Sequence, residues 1–364
     1  MRLLFVCPDM RTGGAERHWA TLIPALVERG ADVKLLTLAA KGPFFDELEA
    51  RGVPAECLDL SRRMDPSGLR RAMSAAAAFG PDAVVTRGVS GQLVGEAIAR
   101  RRHAVHVYNE HTPLTPAGRL VPPRTHQRAL TRLVARAIDN VIAVTERQLP
   151  PLAALGYPRS RIEVVPNGVF AKDVEGITPS PELAGEGFSV LCVAGLRPEK
   201  RVDLFIDAVG AARRENPAIR AFVAGEGPER ERLAPAAAEH GVALLGARRD
   251  VLQLIAAAGV MCLPSEAEAL PMSILEAMAL ARPVVATDVG GIPDLVLDGE
   301  TGHVVPPGDA TAVTRALLAL AANPDRADTM GAAGQWRQRE HFTGERMVDG
   351  YAQAFEEAIG RGQA

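Results

Sequence analysis

A chain of 364 residues with 47% hydrophobic and 23% charged residues describes a folded globular protein, long for one core and suited to two domains. The formal charge of −3 is small, no nucleic-acid partner is expected, and no apolar run of about 18 uncharged residues marks a membrane-crossing helix. The N-terminus lacks the apolar core and small-residue cleavage site of a signal peptide, and Cys7, Cys57, Cys192 and Cys262 are scattered without C-x-x-C spacing. They read as reduced thiols, three of them in strand-like runs, in a cytoplasmic protein.

In chain order, Leu3–Cys7 is a continuous apolar run of buried parallel-strand type. The loop P-D-M-R-T-G-G follows, then a helix from about Ala15 lined by Leu22, Ile23, Leu26 and Val27 and closed by Gly30. Val33–Leu38 is the next strand. The alternation continues through strands at Ala83–Thr86, Ala104–Val107 and Val141–Val144, so a parallel sheet covered by helices on both faces is expected. A Pro/Gly-rich stretch, Phe170–Gly187, precedes a restart at Ser189–Val193 with a helix from about Val202. Strands at Ala221–Ala224, Val242–Leu245, Val260–Leu263 and Pro283–Ala286 complete a second α/β domain. In the last segment, Phe342–Ala358, Met347, Val348, Tyr351 and Phe355 share one helical face, expected to pack across the domains. Ligands of such sheets bind beyond the carboxyl ends of the strands, so a cleft where two sets of ends face each other is the expected site.

The window Ala97–Ile138 holds eight arginines against one acid, Glu110. Arg124, Arg128, Arg132 and Arg136 recur four apart, as on one face of a helix, with Leu130, Leu133, Val134 and Ala137 on the other. This stripe suits a phosphorylated acceptor or an anionic membrane surface, and equally a solvated arginine-rich face.

The first loop is not G-x-G-x-x-G, no acid ends the second strand, and no G-x-x-x-x-G-K-[ST] loop occurs, which argues against a dinucleotide fold or a P-loop. The sharper signal is S-E-A-E-A-L-P-M-S-I-L-E-A-M-A, Ser265–Ala279. Here Glu268 falls in a loop after a strand, and Glu276 lies about one turn into a helix that starts near Met272. A helix N-terminus at a strand end offers free N–H groups to phosphate, and an ionised carboxylate only accepts hydrogen bonds, which suits sugar hydroxyls. Glu276 capping its own helix or pairing with an arginine is the competing reading. No D-x-D pair follows a strand, so no obligatory metal is expected. Glu266 has no evident role.

The segment Glu268–Ala279 resembles the E-x7-E signature of the family-4 retaining glycosyltransferases of GT-B fold. Further segments follow in the family's order along nearly the whole chain: G-G-A-E-R at 13–17, V-V-P-N-G-V at 164–169, L-R-P-E-K at 196–200, G-E-G-P at 225–228, A-T-D-V-G-G-I-P at 286–293 and G-E-T-G-H-V-V-P-P-G-D at 299–309. The resemblance implies two doubly wound Rossmann-like domains facing across a cleft. Residues 1–172 would bind the acceptor, 173–342 the nucleotide-sugar donor, and 343–364 would form a closing helix. It implies a hexosyltransferase-type enzyme with a nucleoside-diphosphate sugar as donor substrate, no obligatory cofactor, and a glycan, lipid-linked or small-molecule acceptor. Peripheral association with the inner face of a membrane is a further expectation.

Carried over residue by residue, Glu276 binds the donor ribose and Glu268 a hydroxyl of the transferred sugar. Lys200, with the amides around Leu270, Pro271, Met272 and Ser273, meets the diphosphate. Lys200 stands out independently as one of four lysines, and a cation there offsets charge developing on the leaving group. Gly13 and Gly14 let backbone approach a phosphate. His111, in Y-N-E-H-T, matches the family's active-site histidine, and Arg248 is a candidate near the base. One departure is clear: the family reads G-R-L-x-x-E-K, and aligning on Lys200 puts Gly195 at the arginine position. Arg197, two residues on, is the expected replacement; loss of a bidentate guanidinium is otherwise a substantial change. A nucleotide-sugar epimerase of the same fold, or a catalytically weak nucleotide-sugar-binding partner protein, stands as the alternative.

Overall fold

The computed structural model describes residues 1–11, 13–60, 66–120, 131–132 and 134–363. Two compact units divide the chain: Met1–Thr112, Leu120–Asn167 and Glu345–Ala364 form the first, and Pro113–Arg119 with Gly168–Gly344 the second.

In the first unit, β1 (Arg2–Cys7), β2 (Asp32–Thr37), β3 (Ala55–Cys57), β4 (Ala83–Thr86), β5 (Val105–Glu110), β6 (Asn140–Ala143) and β7 (Ile162–Val164) form one sheet. Its order is β3-β2-β1-β4-β5-β6-β7, and every pairing is parallel. Leu3–Cys7 can be uniformly apolar because both faces of the sheet are covered: each of these five residues is fully buried. The first helix runs Gly14–Glu28 and buries Trp19, Leu22, Ile23 and Leu26.

The closing helix, Gly344–Gln363, continues the first unit from Glu345 onward. Tyr351 and Phe355, on the apolar face expected from the sequence, are fully buried. Phe355 lies edge-on to Phe5 on β1 at 6.3 Å, and Asp349 pairs with Arg29 at 2.5 Å. The sequence reading drew a boundary between 172 and 173 and a helix across the domains. The chain's own contacts divide it at Asn167/Gly168 and assign the closing helix to the first unit, because its buried aromatics pack there.

In the second unit, β8 (Ser189–Val193), β9 (Arg220–Ala224), β10 (Val242–Gly246), β11 (Val260–Leu263), β12 (Val284–Thr287) and β13 (Gly302–Val305) form a second all-parallel sheet, ordered β10-β9-β8-β11-β12-β13. Met261 lies opposite Leu191 on one side and Val284 on the other, which sets the register of the central three strands. The strands β3, β7 and β13, of three or four residues, are additions to the sequence reading.

All four cysteines are free thiols. Burial pushes Cys7 and Cys192 up to about 12, so they are unreactive packing residues. No helix among the described residues is long and apolar enough to cross a membrane.

Candidate active site

In the second sheet the chain leaves β8 toward one edge and β11 toward the other, so strand order reverses between two neighbours. Loops at the carboxyl ends of such a pair diverge and leave room for a ligand. The loop after β8 carries Gly195 and Arg197 and turns through Pro198–Lys200 into the helix Val202–Glu215. The loop after β11 carries Ser265 and Glu268. These loops meet: Lys200 Nζ donates to Glu268 Oε1 at 2.7 Å. Ser265 Oγ donates to the same oxygen at 2.7 Å.

Glu268 is only 4% exposed, and a carboxylate so buried is stable only when paired and hydrogen-bonded. Oε2 carries no hydrogen bond among the described residues, so one carboxylate oxygen is anchored and the other is available. Its backbone is held as well. Leu114 N–H donates to the Glu268 carbonyl at 2.6 Å, and Glu268 N–H returns to the Leu114 carbonyl at 3.2 Å. Thr287, at the end of β12, donates its hydroxyl to the Ser265 carbonyl at 2.5 Å.

Two glycines of the quoted motifs permit this closeness. Gly290 has φ +54°, and a Cβ there would lie 2.0 Å from the Glu268 carbonyl oxygen. Gly225 has φ +156°, and its Cβ would lie 1.8 Å from the Ala194 carbonyl at the end of β8. Only glycine fits either place. Ser265, Thr287, Leu114 and Gly290 were not singled out from the sequence. The serine at a strand end three residues before Glu268 was the available signal.

The helix Met272–Ala279 starts after Leu270 and Pro271 with no side-chain cap on its first N–H groups. Helix-start amides without a side-chain cap, such as those of Met272 and Ser273, are the kind of groups that can receive an anion. Glu276 is the fifth residue of this helix and 8% exposed. Arg197 is exposed, and its guanidinium has no partner among the described residues. It folds back over Gly195: its Nε lies 3.8 Å from where a Cβ of residue 195 would stand. Arg248, beyond β10, is committed to Asp250 at 2.7 Å and Glu182 at 2.5 Å, and these carboxylates hold its pKa up. Glu266 is exposed, 3.9 Å from Arg201.

In the first unit, Gly13 is the extended residue before the helix Gly14–Glu28. Glu16 reaches back over the helix start, with Oε2 2.1 Å from where a Gly13 Cβ would be, and pairs with Arg87 at 3.1 Å. The anion at this helix end is thus the protein's own. Arg87, at the end of β4, is 6% exposed and lies 5.0 Å from the Trp19 ring centroid.

His111 follows β5, and its Nε2 lies 2.9 Å from Asn109 Oδ1, which also takes the Trp19 indole N–H at 2.8 Å. The His111 ring packs 4.6 Å from His18, whose ring nitrogens have no hydrogen-bond partner among the described residues. Burial drives both histidines toward the neutral form, to about 3 for His18; neighbouring His18 and Arg87 add to the effect on His111. Glu110, also buried, is pushed up by desolvation while accepting from Thr112 N–H and Tyr108 OH.

Of the arginine stripe, Arg124 and Arg128 lie outside the described residues. Arg132 is exposed on a helical turn, whereas Arg136 is exposed in the turn that follows. Among the described residues no group of three or more His, Cys, Asp and Glu side chains is placed to hold a metal ion.

Residues 12–172 match the model of Glycosyltransferase Family 4, and residues 187–323 match that of Glycosyl transferases group 1. Glycosyltransferase models thus match both halves of the chain. The chain is 34% identical over 239 residues to a GDP-mannose-dependent alpha-(1-6)-phosphatidylinositol monomannoside mannosyltransferase of Mycolicibacterium smegmatis, covering 58% of this chain and 63% of the relative. It is 27% identical over 231 residues to an N-acetyl-alpha-D-glucosaminyl L-malate synthase of Bacillus anthracis, covering 61% and 60%. The matched part thus spans somewhat less than two thirds of these relatives. Among solved structures, Anabaena HepE in complex with UDP and glucose superposes with TM-score 0.85 at 21% identity, covering 98% of this chain and 100% of that one. Sucrose-phosphate synthase of Thermosynechococcus elongatus gives 0.82 at 20% identity, covering 99% and 100%. The fold is GT-B.

Proposed function

We propose that the protein is a retaining, hexosyltransferase-type enzyme that moves a sugar from a nucleoside-diphosphate donor to an acceptor hydroxyl. The donor would occupy the second unit and the acceptor the first. The observation that carries this reading is the Lys200–Glu268 contact at 2.7 Å, where the order of the second sheet reverses. Glu268, anchored through Oε1, offers Oε2 to a sugar hydroxyl. Lys200 keeps two further N–H donors for the departing diphosphate, where charge grows in the transition state. The uncapped helix start at Met272 and Ser273 adds amide donors and a positive dipole end. Glu276, one turn in, accepts from the ribose hydroxyls. Arg197 takes the place of the arginine missing at Gly195, since it already lies over that position.

A membrane-associated or phosphorylated acceptor is supported by the arginine-rich window and by the name of the mannosyltransferase relative, which includes phosphatidylinositol monomannoside. The test is a thermal-shift panel of nucleoside diphosphates and nucleotide sugars, because a ligand of the folded state alone stabilises it by mass action. UDP or GDP is expected to raise the melting temperature. Glu276→Ala is expected to weaken that diphosphate's binding by about tenfold in calorimetry, since a hydrogen bond to a charged group contributes about 1.5 kcal/mol or more. Unchanged affinity would remove Glu276 from the site. Comparison of the anomeric configuration of donor and product by NMR tests retention.

A further inference from the structure

The environment of His111 specifies which of its nitrogens carries hydrogen. The Trp19 indole can only donate, so the Asn109 atom 2.8 Å from it is the carbonyl oxygen. The amide nitrogen of Asn109 then faces two acceptors, the Tyr351 hydroxyl at 2.7 Å and the Ile142 carbonyl at 3.4 Å. Reversing the amide would set its nitrogen against the indole N–H and its oxygen against the Ile142 carbonyl. Trp19, Asn109 and Tyr351 are fully buried, or nearly so, and water cannot relieve such contacts. The orientation of Asn109 therefore follows from chemistry. Its oxygen also lies 2.9 Å from His111 Nε2, and a carbonyl oxygen only accepts. Nε2 must be the protonated nitrogen. Burial, with His18 and Arg87 nearby, keeps the ring neutral, and a neutral imidazole has one N–H. Nδ1 is left with its lone pair and has no hydrogen bond among the described residues.

We infer that Trp19 and Asn109 are positioning residues that lock His111 in the Nε2–H tautomer, leaving Nδ1 as a hydrogen-bond acceptor for a ligand hydroxyl. Tyr351, from the closing helix, steadies the amide of Asn109. His111 so held accepts an O–H and offers nothing to a phosphate oxygen, the opposite of Lys200. The lock stands on the geometry of the first unit alone, whereas the ligand assignment rests on the transferase reading.

The experiment uses the full chain labelled with 15N-histidine and two-bond 1H–15N correlation spectra, which distinguish protonated from bare ring nitrogens. His111 is assigned by the signals lost in His111→Gln. The expected result is a protonated Nε2 and a bare Nδ1. Asn109→Asp, which still accepts from both donors, is expected to keep that pattern. Trp19→Phe removes the donor that orients Asn109 and is expected to populate the Nδ1–H form. Should it fail to fold by circular dichroism, Asn109→Leu, which removes the acceptor, is expected to give the same mixture. A wild-type ring protonated at Nδ1 or evenly mixed overturns the lock, as does a folded Trp19→Phe or Asn109→Leu protein with an unaltered tautomer. For the ligand, UDP-glucose and GDP-mannose are compared with UDP and GDP. A nucleotide sugar that stabilises the protein should move the Nδ1 resonance beyond the diphosphate alone, and no movement overturns the hydroxyl assignment. If no nucleotide stabilises the protein, the transferase reading fails while the tautomer result stands.

Discussion

The two sheets share one strand order through their first six strands, and each keeps an ion pair past a strand's carboxyl end, Arg87–Glu16 in the first and Lys200–Glu268 in the second, but their surroundings differ. In the second unit a charged pair is kept: Glu268 is nearly buried, but Lys200 and Ser265 compensate it, and Oε2 stays open. In the first unit the groups that face one another past β5 differ: the His18 and His111 rings lie 4.6 Å apart at a tilt of 55°, and burial pushes both toward the neutral form. The same backbone plan therefore carries a compensated carboxylate at the strand ends of one unit and uncharged imidazoles at those of the other. What decides between them is whether each buried ionisable group is given a partner.

This contrast can be broken from the charged side first. Glu268→Gln keeps the shape but removes the charge that pairs with Lys200. Turnover of whichever nucleotide sugar the panel identifies is expected to fall by about 100-fold or more. Diphosphate affinity should stay within about threefold by calorimetry, because the helix amides and Glu276 are untouched. A variant with wild-type turnover would leave Glu268 with a structural role only.

The next largest effect concerns Gly195. Arg197→Ala is expected to weaken diphosphate binding by about tenfold, as loss of one charge-assisted contact implies. Adding Gly195→Arg to that variant should restore most of it. Residue 195 has room for a side chain, the nearest atoms to its Cβ being the Glu226 carbonyl at 3.7 Å and Arg197 Nε at 3.8 Å. Equal affinity of wild type and Arg197→Ala would end the idea that the loop arginine compensates.

From the neutral side, pH is the lever. His18 titrates near 3 when folded and at its ordinary value, about 6.5, when unfolded. The unfolded chain binds the extra proton as pH falls below about 6.5, so the contribution of this depressed histidine is full above that value. It is lost progressively toward pH 3, reaching about 2 kcal/mol at pH 5. Melting temperature should therefore drop on acidification from pH 7 to 5, and His18→Phe should flatten the slope. A slope unaltered by that change would show that His18 is not held neutral. Smallest of all, the full chain is expected to bind anionic vesicles weakly and less so as salt rises, because exposed charges such as Arg132 and Arg136 are screened. Equal binding to neutral vesicles would detach the arginine window from any membrane role.

Much of the architecture was legible because parallel strands buried on both faces announce themselves as apolar runs: Leu3–Cys7, Ser189–Val193 and Val260–Leu263 all appear as strands close to where they were read. The short strands β3, β7 and β13 were not, since three or four residues carry too little periodicity. Lys200, Glu268, Glu276 and His111 were singled out as candidates through motif spacing, rarity and the family resemblance. Their supports were hidden. Ser265 looked like an ordinary strand-end residue, and Asn109 was one letter of Y-N-E-H-T. Leu114 holds both backbone groups of Glu268 from more than a hundred residues away in the chain.

The sequence by itself determined the alternation of strands and helices, the restart that makes a second α/β unit, and the residue types available at the strand ends. Local pattern is enough for these, because burial on both faces and free helix starts are properties of short segments. Only the tertiary structure decided which groups meet: that Lys200 and Ser265 share one oxygen of Glu268, that Glu16 covers the helix start at Gly13, and that Trp19 and Asn109 dictate the proton on His111. Charge compensation, desolvation and tautomer choice are properties of neighbours in space, and chain order does not encode those neighbours in any local pattern.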